Sequence, residues 1–187
     1  MKTASLVLRS ALAVCFAFVM SSASCDLFDK VDDVTIEVEL SHTFHVDETN
    51  DDENVVYGLK EVLDAASVNS EFDKYKDKIT AITVTSVTYQ VQNCSIAGVI
   101  FTNGSVGYSS LVGSAPSQIA TLGAENIKAV ENQTKNLNFN QVALNELSTL
   151  LKNDKKVNLY MTGVLSETPA KFDVFVVLKA SITADAL

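Results

Sequence analysis

The sequence predicts a mainly β protein, an antiparallel two-sheet β-sandwich of immunoglobulin-like type with two short helices. Three observations predict it. Over residues 35–46, Ile36, Val38, Leu40, Phe44 and Val46 share one parity with His42, while Thr35, Glu37, Glu39, Ser41, Thr43 and His45 hold the other. Near the other end, Phe172, Val174, Val176, Leu178, Ala180 and Ile182 alternate in the same way. Between them, residues 79–92 are dense in Thr, Val and Ile. A period of two marks a strand with one buried and one solvated face. Two long strands at opposite ends of a chain point to a sandwich closed by non-local pairing.

The chain opens with Lys2 and Arg9, an uninterrupted apolar run over residues 11–20, and the small residues 21–24. A basic start, an apolar stretch and a small-residue exit describe a secretory signal. The run is about 10 residues, against the roughly 20 that a bilayer span needs, so it reads as a signal and not a retained anchor helix. Ser22-Ala23-Ser24 before Cys25 has the form of a lipoprotein box, with Ser22 where an aliphatic residue is usual. Cys25 is the expected lipidation site; ordinary cleavage after Ala23 or Ser24 is the alternative. The expected organisation is a signal peptide over 1–24, an acidic tether over 25–33 and one sandwich domain over 34–187.

Loss of Lys2 and Arg9 with the signal leaves 12 basic against 23 acidic side chains, a formal charge of −11. Phosphate backbones and anionic lipid surfaces are both held by clustered Lys and Arg, so neither nucleic acid nor peripheral adhesion by a basic patch is expected. Of three cysteines, Cys15 leaves with the signal and Cys25 takes the lipid, leaving Cys94 as a small, semi-buried apolar residue. Without lipidation, a Cys25–Cys94 bridge is open.

His42 and His45 differ in parity and point to opposite faces of their strand, so they cannot chelate one metal. Residues 47–54 are an oxygen-rich acidic run in which Asp47, Asp51 and Asp52 are the calcium candidates. Asp52 stands where an EF-hand loop needs its turn glycine, and a solvated inter-strand loop explains the run equally well.

Residues 55–66 are β-rich, with Gly58 marking a bulge or bend. Residues 70–78 read as a short helix capped by Ser70, with Phe72 and Tyr75 packed on the core. Over 79–92 the apolar parity switches near Thr85-Ser86, which predicts a β-bulge. Asn103-Gly104 between β-prone runs predicts a tight hairpin. Residues 111–117 read as a loop, 119–130 as a strand or weak helix, and 131–138 as a polar loop. Asn140 caps a helix whose stripe of Val142, Ala143, Leu144, Leu147, Leu150 and Leu151 should lie on a sheet. Residues 157–165 alternate, residues 166–169 make a turn, and a second hairpin closes the chain.

No phosphate-binding loop, dinucleotide-binding glycine pattern, zinc ligand set or nucleophile elbow occurs. Asn93-Cys94-Ser95, Asn103-Gly104-Ser105 and Asn132-Gln133-Thr134 match the glycosylation pattern, which bears only on a eukaryotic source. The mature chain has no Trp and five Tyr, thin for stacking on sugars or bases. No catalytic residue and no cofactor are expected.

The lipobox-like Cys25, the acidic tether and the Thr/Val-rich strands together resemble uncharacterised β-sandwich lipoproteins of Bacteroidota envelopes. The resemblance runs most clearly through Phe72-Asp73-Lys74-Tyr75-Lys76-Asp77-Lys78-Ile79 into Ile82-Thr83-Val84-Thr85-Ser86-Val87-Thr88-Tyr89. It implies an exported envelope protein, anchored to the outer membrane by an N-terminal lipid, and brings no catalytic residue with it. The expected function is a non-enzymatic binding or scaffolding module for an envelope protein or glycan. The alternatives are a carboxylate-based glycan hydrolase and an adhesive or pilus-type subunit.

Overall fold

The computed structural model describes residues 33–95, 97–113 and 115–185. Cys25, the signal and all but the last residue of the expected tether lie outside them. Ten strands form two antiparallel sheets: β1 (Asp33–Glu48), β2 (Glu53–Asp64), β3 (Ile79–Gln92), β4 (Ile100–Ser109), β5 (Ser117–Leu122), β6 (Glu125–Asn126), β7 (Thr134–Asn136), β8 (Asn138–Phe139), β9 (Lys156–Glu167) and β10 (Ala170–Asp185). The first sheet runs β1-β10-β3-β7. The second runs β2-β9-β4-β5-β8, with β6 also on β4. Three helices accompany them, one more than expected: α1 (Ala65–Val68), α2 (Ser70–Tyr75) and α3 (Gln141–Asp154). The fold is a β-sandwich.

The alternation in β1 translates into burial. Val38, Leu40, Phe44 and Val46 are buried, while Glu37, Glu39 and His45 are exposed. All 16 residues of β1 pair with β10 in one register, from Asp33 opposite Asp185 to Glu48 opposite Ala170. The two sheets close on a core in which Phe44, Phe72, Phe172, Leu151 and Met161 are fully buried. Cys94 is buried at its margin.

The C-terminal hairpin is not formed. β9 and β10 lie in different sheets, and residues 168–169 carry the chain across the gap between them. The connection from β1 to β2 makes the same crossing. A two-stranded ribbon, β1-β2 against β10-β9, is therefore folded once so that each half joins a different sheet. Alternation specifies a strand and its inner face, but it is silent on whether a short connection turns within a sheet or passes between two.

Asn103-Gly104 is not a hairpin turn either. β4 runs straight through it, and the pair forms a bulge against β9, where the register slips between Thr102 and Ser105. Asn103 adopts φ 50°, the left-handed conformation that makes Asn-Gly a turn signal, but one such residue makes a bulge and not a two-residue turn. Gly58 pairs with Thr162 in unbroken register, with no bulge. The predicted bulge near Thr85 is present: Ser86 opposes Lys179 and Val84 opposes Ala180, leaving Thr85 as the extra residue.

The cap of α2 is Asn69 and not Ser70, its side-chain oxygen accepting from the Phe72 amide at 2.9 Å. Phe72 is buried and Tyr75 packs against the core as expected. The segment 119–130 is β5, then β6 and a turn, and the polar stretch 131–138 supplies the short β7 and β8. Asn140 caps α3, accepting from the Val142 amide at 3.0 Å. The helix lays Ala143, Leu144, Leu147 and Leu151 against β3, β9 and β5; Val142 stands out of the stripe, 66% exposed.

Candidate functional site

The most distinctive surface lies along one side of the sandwich. β1 ends the first sheet and β2 ends the second, and among the described residues no further strand pairs with the outer edge of either. A strand edge presents unpaired N–H and C=O groups and is a ready template for another strand. The two edges differ in chemistry. The solvent-facing side chains of β1 are polar, with Glu37, Glu39 and Asp47 among them, and Lys179 and Lys171 meet Glu39 and Asp47 at 2.9 and 2.6 Å. Those of β2 include Val56, 82% exposed, and Val62, 51% exposed.

Lysine commonly guards such an edge. Here the Lys60 ammonium lies 5.8 Å from the ring centroid of Tyr160 on β9, drawn back over its own sheet. The inner parity of β2 carries Tyr57, Leu59, Glu61 and Leu63. Tyr57 donates its hydroxyl to the His45 carbonyl oxygen at 3.2 Å, tying β2 to β1 across the sandwich. Burial lowers the pKa of His42, and the Glu61 carboxylate opposes that shift. His45, on the outer face, meets Asp173 at 2.7 Å. The two histidines thus lie on opposite faces.

The calcium candidates do not converge. The Asp47 carboxylate is taken by Lys171, Asp52 engages Thr168 through its main chain, and Asp51 is exposed in the corner. Among the described residues, no group of three or more His, Cys, Asp or Glu side chains is placed to hold a metal ion.

Among the depressions elsewhere are two with hydroxyl-rich linings. One, of about 430 Å³, opens between the end of β4 and α3 and is lined by Tyr108, Ser109, Glu146 and Leu150. Tyr108 donates to Glu146 at 2.7 Å, and burial followed by that carboxylate raises its pKa to about 12. Asn158, beneath it, donates to Ser109 and to the Ser110 carbonyl. The other, of about 790 Å³, is a shallow polar trough over the β4 bulge, lined by Thr102, Asn103, Ser105, Gln118 and Thr121. The trough holds no nucleophile beside a base; the first depression brings the Tyr108 hydroxyl to the Glu146 carboxylate, and the raised pKa keeps that hydroxyl protonated.

Among the described residues, the carboxylates with displaced titration are Asp64, Glu131 and Asp173, and each is displaced downward. Lys156 holds Asp64 down and Lys128 holds Glu131 down. At Asp173 burial opposes ionisation, but hydrogen bonds from Asn93 and His45 outweigh it. A general acid needs the reverse shift.

Sequence reasoning missed Val56 and Val62 because β2 carries valine on both parities, which hides its inner face. It also missed the contact of Tyr108 with Glu146, 38 residues apart.

No protein-family profile matches the chain, and no curated protein does. Among solved structures, that of Desmodium yellow mottle tymovirus aligns with 82% of this chain and 90% of its own at 9% identity and a TM-score of 0.39. Turnip yellow mosaic virus aligns over 81% and 94% at 9% identity and 0.35. The decameric capsid protein of BFDV aligns over 80% and 98% at 6% identity and 0.37.

Proposed function

We propose that this chain is a lipid-anchored protein of a bacterial envelope, held at the outer membrane through Cys25, acting as a non-enzymatic binding or scaffolding module. Its contact surface is the open side of the sandwich, with the β2 edge at its centre. The observation that carries this reading is the pair of exposed valines on an unpaired edge strand whose lysine is turned away. Asp64, Glu131 and Asp173 are each held ionised by their partners, so none of these three is the protonated acid that a glycan hydrolase needs. The open edge also favours the adhesive or pilus-type subunit, which would accept a strand from its neighbour.

Two measurements test the proposal. Wild type and Cys25→Ala are expressed in a bacterial host with a fatty-acid label, and the mature mass is recorded. Label present in wild type and lost in the variant is expected. An unlabelled wild type cut after Ala23 or Ser24 would sink the anchor. A photocrosslinker at Val56 is then compared in cells with one at Thr83, on the outer face of the other sheet. Adducts at position 56 and not at 83 are expected; equal labelling, or none, removes the edge as the contact surface.

A further inference from the structure

The geometry points to a particular occupant for the β2 edge: a second copy of the same chain, paired antiparallel about a two-fold axis at Leu59. This rests on the reading of the β2 edge as the contact surface. Two-fold antiparallel pairing of identical strands sets residues of like parity opposite each other. Only a few registers engage most of the 12 residues of β2, and their side chains separate them.

Centred on Leu59, the pairing places Val56 opposite Val62, Val55 opposite Leu63, and Leu59 opposite itself. Residues 55–63 all find partners, Asn54 standing outside the extended ladder at φ 54°, and no like charges are opposed. One residue toward the N-terminus, about Gly58, Val56 faces Lys60 and Val55 faces Glu61. Centred on Lys60 or Glu61, a like-charged pair sits on the axis itself, which is destabilising. The Leu59 register alone among these joins the two exposed valines, each to the other's copy.

The remaining obstacle is lysine. In this register Lys60 faces Gly58, which offers no side chain to clash, and the two Lys60 residues are diagonal neighbours about 7–8 Å apart at Cα. Each ammonium already leans over the Tyr160 ring of its own subunit, away from the shared edge. The result is one sheet continuous across both subunits, with about 8–10 main-chain hydrogen bonds along the seam.

Cysteine pairing in the full-length, membrane-anchored protein tests the register. Residues opposed across an antiparallel seam lie within disulfide range, about 4.5–5.5 Å between Cα atoms. Copies of one position at 56 lie six residues apart along the seam, about 20 Å. Val56→Cys and Val62→Cys should each stay monomeric under mild oxidation and form a covalent dimer when co-expressed. Both sites are exposed, so folding is not at stake, and wild type reports any background from Cys25 and Cys94. Val56→Glu combined with Val62→Glu should abolish dimer in sedimentation with the circular dichroism unchanged. Efficient linkage of V56C to itself, or a V56E/V62E dimer, overturns the register. If both cysteines link only to other polypeptides, self-pairing falls and the edge stands as a contact surface; if neither links to anything, both fall.

Discussion

Thr168 is bound to the main chain of Asp52 by three hydrogen bonds across 116 residues of sequence. Its amide donates to the Asp52 carbonyl oxygen at 2.9 Å, its hydroxyl donates to the same oxygen at 3.1 Å, and the Asp52 amide donates to the hydroxyl at 3.1 Å. These residues sit in the two corners where the folded ribbon passes between sheets. One buried side chain therefore joins the β1-β2 crossing to the β9-β10 crossing. Thr168→Val keeps the shape and removes the hydroxyl, leaving the Asp52 amide without its acceptor. The expected loss is about 1–3 kcal/mol, read as a lower urea midpoint with unchanged slope.

The outer end of the Phe101 ring packs against Gly163 and Gly104. A Cβ at Gly163 would overlap its ring, and one at Gly104 would meet Phe101 Cε1 at 2.5 Å and Leu122 Cβ at 2.7 Å. Phe101 also meets Phe172 edge-on, with centroids 6.4 Å apart, so the ring cannot swing aside without opening the inter-sheet contact. Gly163→Ala should cost about 1–3 kcal/mol through overpacking. Combining it with Phe101→Leu should cost less than the sum of the two single changes, because the smaller side chain vacates the volume the new methyl needs. Thermal midpoints of the four proteins form the cycle; strict additivity would refute the steric account.

Ser148 is the polar residue within the apolar stripe of α3. Its hydroxyl donates to the Leu144 carbonyl at 2.7 Å and accepts from the Val84 amide at 3.0 Å. Val84 sits beside the Thr85 bulge, where the ladder with β10 slips. A bulge disturbs the pairing of nearby main-chain groups, and here the helix supplies an acceptor. Ser148→Ala should cost about 1–3 kcal/mol, and amide exchange at Val84 should accelerate more than at Val87. Equal protection at both sites would show that the serine is dispensable.

The legible parts of this fold are those set by local rules. The parity switch at Thr85 was visible because a single inserted residue inverts which side chains are apolar, and Asn140 because a cap competes with nothing else nearby. Asn103-Gly104 and residues 166–169 misled for a shared reason. A local signal specifies a change of backbone direction or conformation, whereas its use depends on strands far away in sequence. Asn103 bulges because β9 lies beside it, and Thr168 crosses between sheets because Asp52 waits on the other corner. The exposed valines of β2 needed the same non-local knowledge: an edge exists only once the order of the strands is known.

His42 should make the fold sensitive to mild acid. It lies on the inner parity of β1, edge-on to Phe44 with centroids 5.1 Å apart, and its buried Nε2 has no hydrogen-bond partner among the described residues. Burial lowers its pKa below the ordinary 6.5; His45 pushes the same way, and Glu61 opposes both. In the window between the folded and unfolded values, the unfolded chain binds more protons, so stability rises with pH there. The contribution is complete above about 6.5, and it is lost as pH falls toward the folded value. His42→Gln should flatten that part of the profile, while Glu61→Gln should lower the histidine pKa further and widen the window. Urea midpoints at about pH 7.5 and about pH 5 read both effects. An unchanged slope in the His42 variant would assign the acid response to another group, whereas opposite changes in the two variants would fix it on the inner face of β1.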